Sequence, residues 1–441
     1  VTAARTVPAL GAPKRPRLPT VADNVLPNGL RVLAVRRPGV PLVELRLRIP
    51  FAGKGDEHVA RAQLLGDTLL SGTDRRTASD IAVALQSFGG QLHASNDADR
   101  LGISGSVLAS GFTGFLGLLG ELLTAASYPN EEVVAERDRL VQELAIHRSQ
   151  ASVVAREALL RRMYGEHPYG RELPSADAVG EVKPTQLRAL HNRRVVPAGS
   201  VLTIVGDVQP ARAVAQVEKA LADWTATTKA AQTPRLPKPT PLPALLLDRP
   251  GAVQTTIRMA GPAPARSAPD YAAVSLANMV FGGYFSSRWT ANIREDKGYT
   301  YGGHSAFEHP PAGSRITVSV DVATDVTAPS VMETLYELGR IATVPVTQDE
   351  LDQARRYAIG SLQLGTASQA GLASMISMLV GADLGVDYLR EFPEQMQAVT
   401  VEDVLAAAAT WMAPTRLTTV LVGDVDVVAG PLGGLIAFER E

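Results

Sequence analysis

The sequence has no cysteine. This removes disulfide frameworks, thiol nucleophiles, Cys-type zinc ribbons and iron–sulfur ligation as options. Any metal would have to rest on histidine and carboxylate side chains. Histidine is itself scarce: the seven stand at positions 58, 93, 147, 167, 191, 304 and 309. No two are three or four residues apart, so neither H-E-x-x-H nor H-x-x-E-H occurs. A hydrolytic zinc usually needs two imidazoles one helical turn apart, and adjacent residues of this chain cannot supply that pair. His304 and His309, five apart, are left unassigned.

Charge of one sign is also missing. Lys plus Arg (43) and Asp plus Glu (45) leave a formal charge of −2, with no long basic block and 5% aromatics, a balance that argues against nucleic acid as a partner. No G-x-x-x-x-G-K-[ST] loop offers a phosphate cradle, and no G-x-S-x-G elbow presents a serine nucleophile. The most apolar stretch, residues 111–126, carries Glu121 inside it and falls short of the ~20 residues a membrane span needs. It reads as a buried helix, and no membrane span is expected. Residues 1–19 form an N-terminal extension with Arg5, Lys14, Arg15 and Arg17 but no signal-peptide core. The compartment this favours is the cytoplasm; periplasmic or secreted placement stays open if an earlier segment was removed.

What is present is a globular composition, 45% hydrophobic and 20% charged over 441 residues, and an internal repeat. Residues 182–208 (VKPTQLRALHNRRVVPAGSVLTIVGDV) align without a gap on residues 399–425 (VTVEDVLAAAATWMAPTRLTTVLVGDV), at an offset of 217. Each copy reads helix, proline (Pro197 or Pro414), β-branched strand, then Val-Gly-Asp-Val. A second pair supports the first: Pro129 and Pro345 each precede a charged helix, at an offset of 216. The chain therefore reads as a duplicated α+β domain, with a mostly antiparallel sheet packed by helices in each copy. Between the copies, residues 225–243 hold prolines at 234, 237, 239, 241 and 243, the composition of an extended, semi-rigid linker. The expected organisation is a first domain over 20–224, the linker over 225–243, and a second domain over 244–441. Near the start, Asn28-Gly29 between apolar flanks signals a hairpin, and residues 42–50 alternate as a half-buried strand.

The segment with most chemical character is residues 281–305, FGGYFSSRWTANIREDKGYTYGGHS. Ser286 or Ser287 can cap a helix carrying Trp289 and Ile293 on one face, and Gly298 can end it. Tyr299 and Tyr301 then alternate with small residues as in a strand. Arg294 and Tyr301 thus bracket a tight reversal and can converge. Taken alone, the residues equally allow Arg294 to pair with Glu295 or Asp296 while Tyr301 fills the core.

This segment is similar to the signature of the pitrilysin/insulinase family of inverted zincins, in which an Arg…Gly…Tyr pattern follows Ser-Arg and a short helix. Arg294 and Tyr301 match it at the expected separation. The resemblance extends over nearly the whole chain, through Leu26, Asn28, Gly29 and Leu30 of an L-x-N-G-L opening and the two Val-Gly-Asp endings. It implies tandem α+β domains forming half of a clam-like chamber. It also implies H-x-x-E-H in the first domain, followed closely by Gly-Thr, and a later carboxylate as third zinc ligand. Counting back from Gly72-Thr73 puts Gln63, Leu64, Leu65, Gly66 and Asp67 on that motif. Gln63 replaces the first His, Gly66 the water-activating Glu, and Asp67 the second His. Glu143 alone matches the third ligand, and it and Glu136 can equally pair with Arg137, Arg139 or Arg148 on a helix surface. After Gly89-Gly90 the family's edge strand usually has Asn-Ala, whereas this chain has His93-Ala94.

The resemblance thus implies no metal in this chain, and a heterodimer with a homologous subunit that holds the zinc. Arg294 and Tyr301 would face that zinc in trans across a peptide substrate. A purely structural scaffold of the same fold is the alternative. The short Phe281-Gly282-Gly283-Tyr284 gives only part of the glycine-rich loop found in processing-peptidase alpha subunits.

Overall fold

The computed structural model describes residues 19–225 and 228–441. Residues 1–18 of the extension and 226–227 of the proline-rich stretch lie outside the described residues. Strands β1 (Val21–Val25), β2 (Arg31–Arg36), β3 (Leu42–Pro50), β4 (Gln91–Asn96), β5 (Arg100–Leu108) and β6 (Val201–Gly206) make one sheet. Their order is β1-β2-β6-β3-β5-β4. Strands β7 (Ala244–Asp248), β8 (Gln254–Ala263), β9 (Gly303–Glu308), β10 (Ser314–Ala323), β11 (Thr418–Gly423) and β12 (Phe438–Arg440) make the other, ordered β12-β7-β11-β8-β10-β9. In each sheet one parallel pair, β2 with β6 or β7 with β11, is followed by an antiparallel run. The outer strands differ: β1 runs antiparallel to β2, whereas β12 runs parallel to β7. This is the two-fold repeated α+β architecture expected from the sequence.

The repeat is reproduced residue for residue. The helices Pro184–Arg194 and Val401–Trp411, and the strands β6 and β11 that follow them, have bounds separated by 217 positions at each end. Strand β3 occupies residues 42–50 as the alternation predicts, and the apolar stretch becomes the buried helix Phe112–Ala125. No helix among the described residues is long and apolar enough to cross a membrane.

The central strands do not alternate. β2 reads Val-Leu-Ala-Val through four buried positions, and β11 ends in a similar run. Such runs belong to strands covered on both faces. Val32 and Ala34 of β2 face the first half's own core, while Leu33 and Val35 point to the opposite side. The cover on that opposite side comes from the other half of the chain. The helix Gln369–Val380 lays Leu372, Ala373, Ile376 and Val380 on Leu33, Val35 and Val205. Reciprocally, the helix Ala151–Tyr164 lays Ala155 and Leu159 on Leu245, Ala260, Val420 and Val422. Ala155 and Leu159 are 217 positions before Leu372 and Ile376, so the exchange follows the repeat.

Polar contacts close the seam. Arg156 pairs with Glu172 at 2.6 Å and, across to the second half, with Glu308 at 3.0 Å; Glu308 in turn accepts from Arg315 Nε at 2.7 Å. The two guanidiniums hold the Glu308 carboxyl below its ordinary range against the opposing effect of burial. Residues 228–243 of the proline-rich stretch run without regular structure and are pinned where Thr233 donates to Asp99 and Pro234 accepts from His167.

Truncating either exchanged helix at its buried contact leaves a cavity between the halves. Ile376→Ala and Leu159→Ala are each expected to cost about 2–5 kcal/mol of unfolding free energy, read from urea titrations of the full chain.

Candidate functional site

The Arg294 segment begins where the helix Tyr271–Asn278 passes into a wider, π-helical turn over Met279–Gly283. After a short helix at Arg288–Thr290, a second π-helical turn spans Ala291–Asp296. Trp289 and Ile293 are fully buried on one face, as their spacing predicts. Gly298, at φ +66°, reverses the chain in the left-handed region that side chains avoid. β9 starts only at Gly303, so Tyr299 and Tyr301 lie in the connecting loop and not in a strand. The alternation misleads there because Gly302-Gly303 and Thr300 carry too little apolar surface to commit the residues before them to the sheet.

The backbone of this segment is fixed at several points. Trp289 Nε1 donates to Thr334 Oγ1 at 3.0 Å and its ring stacks on Phe281 at 5.4 Å. Arg288 makes a two-pronged bond to Glu350, at 2.6 and 2.7 Å. Asn292 donates to Glu333 and Glu337, at 2.9 and 3.0 Å, and Lys297 pairs with Glu333 at 3.4 Å. These contacts tie the segment to the helices Thr327–Thr343 and Gln348–Gly365. The two side chains of interest stand apart from this clamp. Tyr301 is 96% exposed, which rules out a core role. Arg294 stacks over Phe285, 4.1 Å from its ring centre, and pairs with the adjacent Glu295. No hydrogen bond joins Arg294 to Tyr301 among the described residues.

The altered zinc motif lies on the helix Asp56–Asp67. Gln63 Nε2 donates to both carboxyl oxygens of Asp67, at 3.2 and 3.0 Å, one helical turn on. Burial raises the Asp67 carboxyl above its ordinary range, against the Gln63 hydrogen bond. A side chain at position 66 would have to displace Asn96, since a Cβ there would lie 2.2 Å from Asn96 Nδ2. Asn96, at the end of β4, fills that space and donates to Ala62 O at 2.5 Å. Its Oδ1 is buried without a partner. Glu136 and Glu143, on the helix Asn130–Arg148, both pair with Arg139. Glu143 is therefore engaged by a guanidinium. The motif positions do not fit zinc: one is an amide, one has no side chain, and the two remaining carboxylates are satisfied by protein groups. Among the described residues no group of three or more His, Asp or Glu side chains is arranged to hold a metal ion.

Two features escaped the sequence reading. Asn96 is thirty positions from Gly66, and no short-range pattern links them. The pairing of Arg288 with Glu350 spans sixty-two positions, although Thr347 and Glu350 do announce a capping box at the start of their helix.

A family model described as Insulinase (Peptidase family M16) matches residues 60–177, which contain Gln63, Gly66, Asp67 and Glu143. A second, described as Peptidase M16 inactive domain, matches residues 181–357, which contain Arg294 and Tyr301. The chain is similar to an uncharacterized zinc protease of Mycobacterium leprae, 27% identical over 406 residues and covering 90% of each chain. It is 24% identical over 204 residues to a probable mitochondrial-processing peptidase subunit beta of Arabidopsis thaliana, covering 46% of this chain and 38% of that one. In fold it is similar to a peptidase M16 inactive domain from Pseudomonas fluorescens. That structure has a TM-score of 0.85 and 24% identity, over 92% of this chain and 98% of the other.

The Arg288–Glu350 bond generates a pH prediction. Chiefly through the hydrogen bond from Arg288, the Glu350 carboxyl is lowered from 4.5 to about 2. A carboxyl lowered in the folded state adds stability above its unfolded pKa, and that stability is lost as pH falls through the folded value. Glu350→Gln is expected to melt below the native chain at neutral pH. The gap should close between about pH 4.5 and 2 in thermal melts.

Proposed function

The chain belongs to the insulinase, or M16, family of peptidases as a non-catalytic member, and from that premise we propose that it is the zinc-less, substrate-binding subunit of a heterodimeric metallopeptidase. Its partner is a homologous subunit that holds the zinc, and Arg294 and Tyr301 act in trans on the peptide being cleaved. The observation that carries this reading is the contrast within one segment: its backbone is clamped to two helices, while Tyr301 projects into solvent with its hydroxyl uncommitted. A rigid backbone presenting free donors is the arrangement that preorganised electrostatic stabilisation requires.

The partner's zinc supplies the activated water and the Lewis acid. This chain supplies the donors. Attack on a peptide carbonyl puts negative charge on its oxygen, and a guanidinium and a phenol beside that oxygen each donate a hydrogen bond. Arg294 offers several N–H groups in a planar fork, and its stacking on Phe285 fixes the direction of that fork. The organisation as two domains, 20–224 and 244–441 joined by 225–243, belongs to this proposal, with each half contributing one wall of the chamber. A relative named as one subunit of a processing peptidase supports the pairing.

The rival reading, a scaffold with no catalytic contribution, draws on the pairing of Arg294 with Glu295. The two readings separate when the purified chain is mixed with an H-x-x-E-H-bearing homologous subunit and assayed on a quenched peptide. Cleavage is expected only in the mixture. Arg294→Ala and Tyr301→Phe are each expected to lower kcat by about 10²–10³, or ~2.7–4 kcal/mol per donor. Unchanged kcat in both variants establishes the scaffold.

A further inference from the structure

The altered motif poses a charge problem. Asp67, Glu136 and Glu143 remain at and beside the positions that the family uses around its ion, three carboxylates that need a balancing charge. One side chain bonds two of them and lies within electrostatic reach of the third. Arg139 stands three residues after Glu136 and four before Glu143, so one guanidinium on that helix reaches both carboxylates. Asp67, on the neighbouring helix, acts on the same guanidinium, which is held above its ordinary pKa mainly by the Glu136 hydrogen bond. The other two arginines named for this helix are spoken for: Arg137 pairs with Asp138, and Arg148 with Glu157.

We propose that Arg139 is the resident cation of this degenerate site, a tethered guanidinium doing the charge-balancing that a bound ion does elsewhere in the family. Asn96 completes the replacement by filling the space beside Gly66. The site is thereby closed to metal by a cation on one side and by an amide on the other, both belonging to the chain. This inference stands apart from the trans mechanism, since it concerns the first half alone.

Like charges held together without a counter-ion repel, and an all-carboxylate set favours a hard divalent cation over zinc. Removing Arg139 should therefore create a requirement the native chain lacks. Three full-length proteins are compared by thermal melting in EDTA and then in millimolar calcium: native, Arg139→Lys and Arg139→Met. In EDTA, Arg139→Met is expected to melt about 2–4 °C below native, and calcium should restore most of the loss with a saturable dependence. Arg139→Lys, which keeps a point charge, should melt near native, and neither it nor the native chain should respond to calcium. The proposal is overturned if the native chain responds as Arg139→Met does. It is equally overturned if Arg139→Met loses nothing, or loses stability that calcium does not restore, since lost packing of the arginine stem then accounts for the change.

Discussion

Burial of both faces of each sheet, with the second face covered by a helix from the opposite half, is the constraint on which the rest of the structure depends. A mixed sheet whose central strands are apolar on both sides cannot leave one side in water without exposing a large contiguous patch. Leu33, Val35 and Val205 on one sheet, and Leu245, Val420 and Val422 on the other, would be that patch. Exchanging one helix in each direction solves the problem twice with the same element of the repeat. The consequence is positional: the altered motif and the Arg294 segment, though on different halves, are carried by two sheets whose relative placement is fixed by packed side chains and by the Arg156–Glu308 link.

The two halves then differ in how they treat polar groups. In the first half the groups around the motif bond within the chain: Gln63 to Asp67, Asn96 Nδ2 to the backbone of Ala62, Glu136 and Glu143 to Arg139. In the second half the inward groups, Trp289, Arg288 and Asn292, do the holding, and Arg294 and Tyr301 are what remains outside. Most polar groups at the altered motif find partners within the chain, since buried polar groups without them are costly, though Asn96 Oδ1 is left without one. In the second half the Tyr301 side chain stays in solvent, as the proposed binding role requires.

Much of the architecture was legible because it is periodic. The offset of 217 placed two helices and two strands with matching bounds, and the alternation over residues 42–50 marked β3 to the residue. The helix exchange was hidden, since the periodicity of residues 151–164 marks a helix without saying which sheet it covers. The β2 and β11 runs held the clue, because strands that fail to alternate need cover on both sides. At the site, Arg294, Gly298 and the buried pair Trp289 and Ile293 were readable from local spacing. Tyr301 was placed in a strand because alternation over so few small residues cannot be told from a loop. The role of Asn96 depended on a contact across thirty positions and had no local signal.

The pairing of Arg294 with Glu295 is the observation that weighs most against a role for this arginine, and its weight can be judged by magnitude. Both side chains are partly exposed, at 30% and 59%. An ion pair in that setting is worth about 0–1 kcal/mol, because water and salt screen it and two flexible side chains must be ordered. A donor aimed at charge that develops on a carbonyl oxygen inside a closed chamber is worth ~2.7–4 kcal/mol, since little water competes there. The second quantity exceeds the first by a wide margin, so the Glu295 pair is no obstacle to the trans role proposed for Arg294. The stacking on Phe285 can persist in that role, because it engages the face of the guanidinium and leaves its edge free to donate. Under that proposal Glu295 would hold the arginine extended along the segment until a substrate acceptor replaces it.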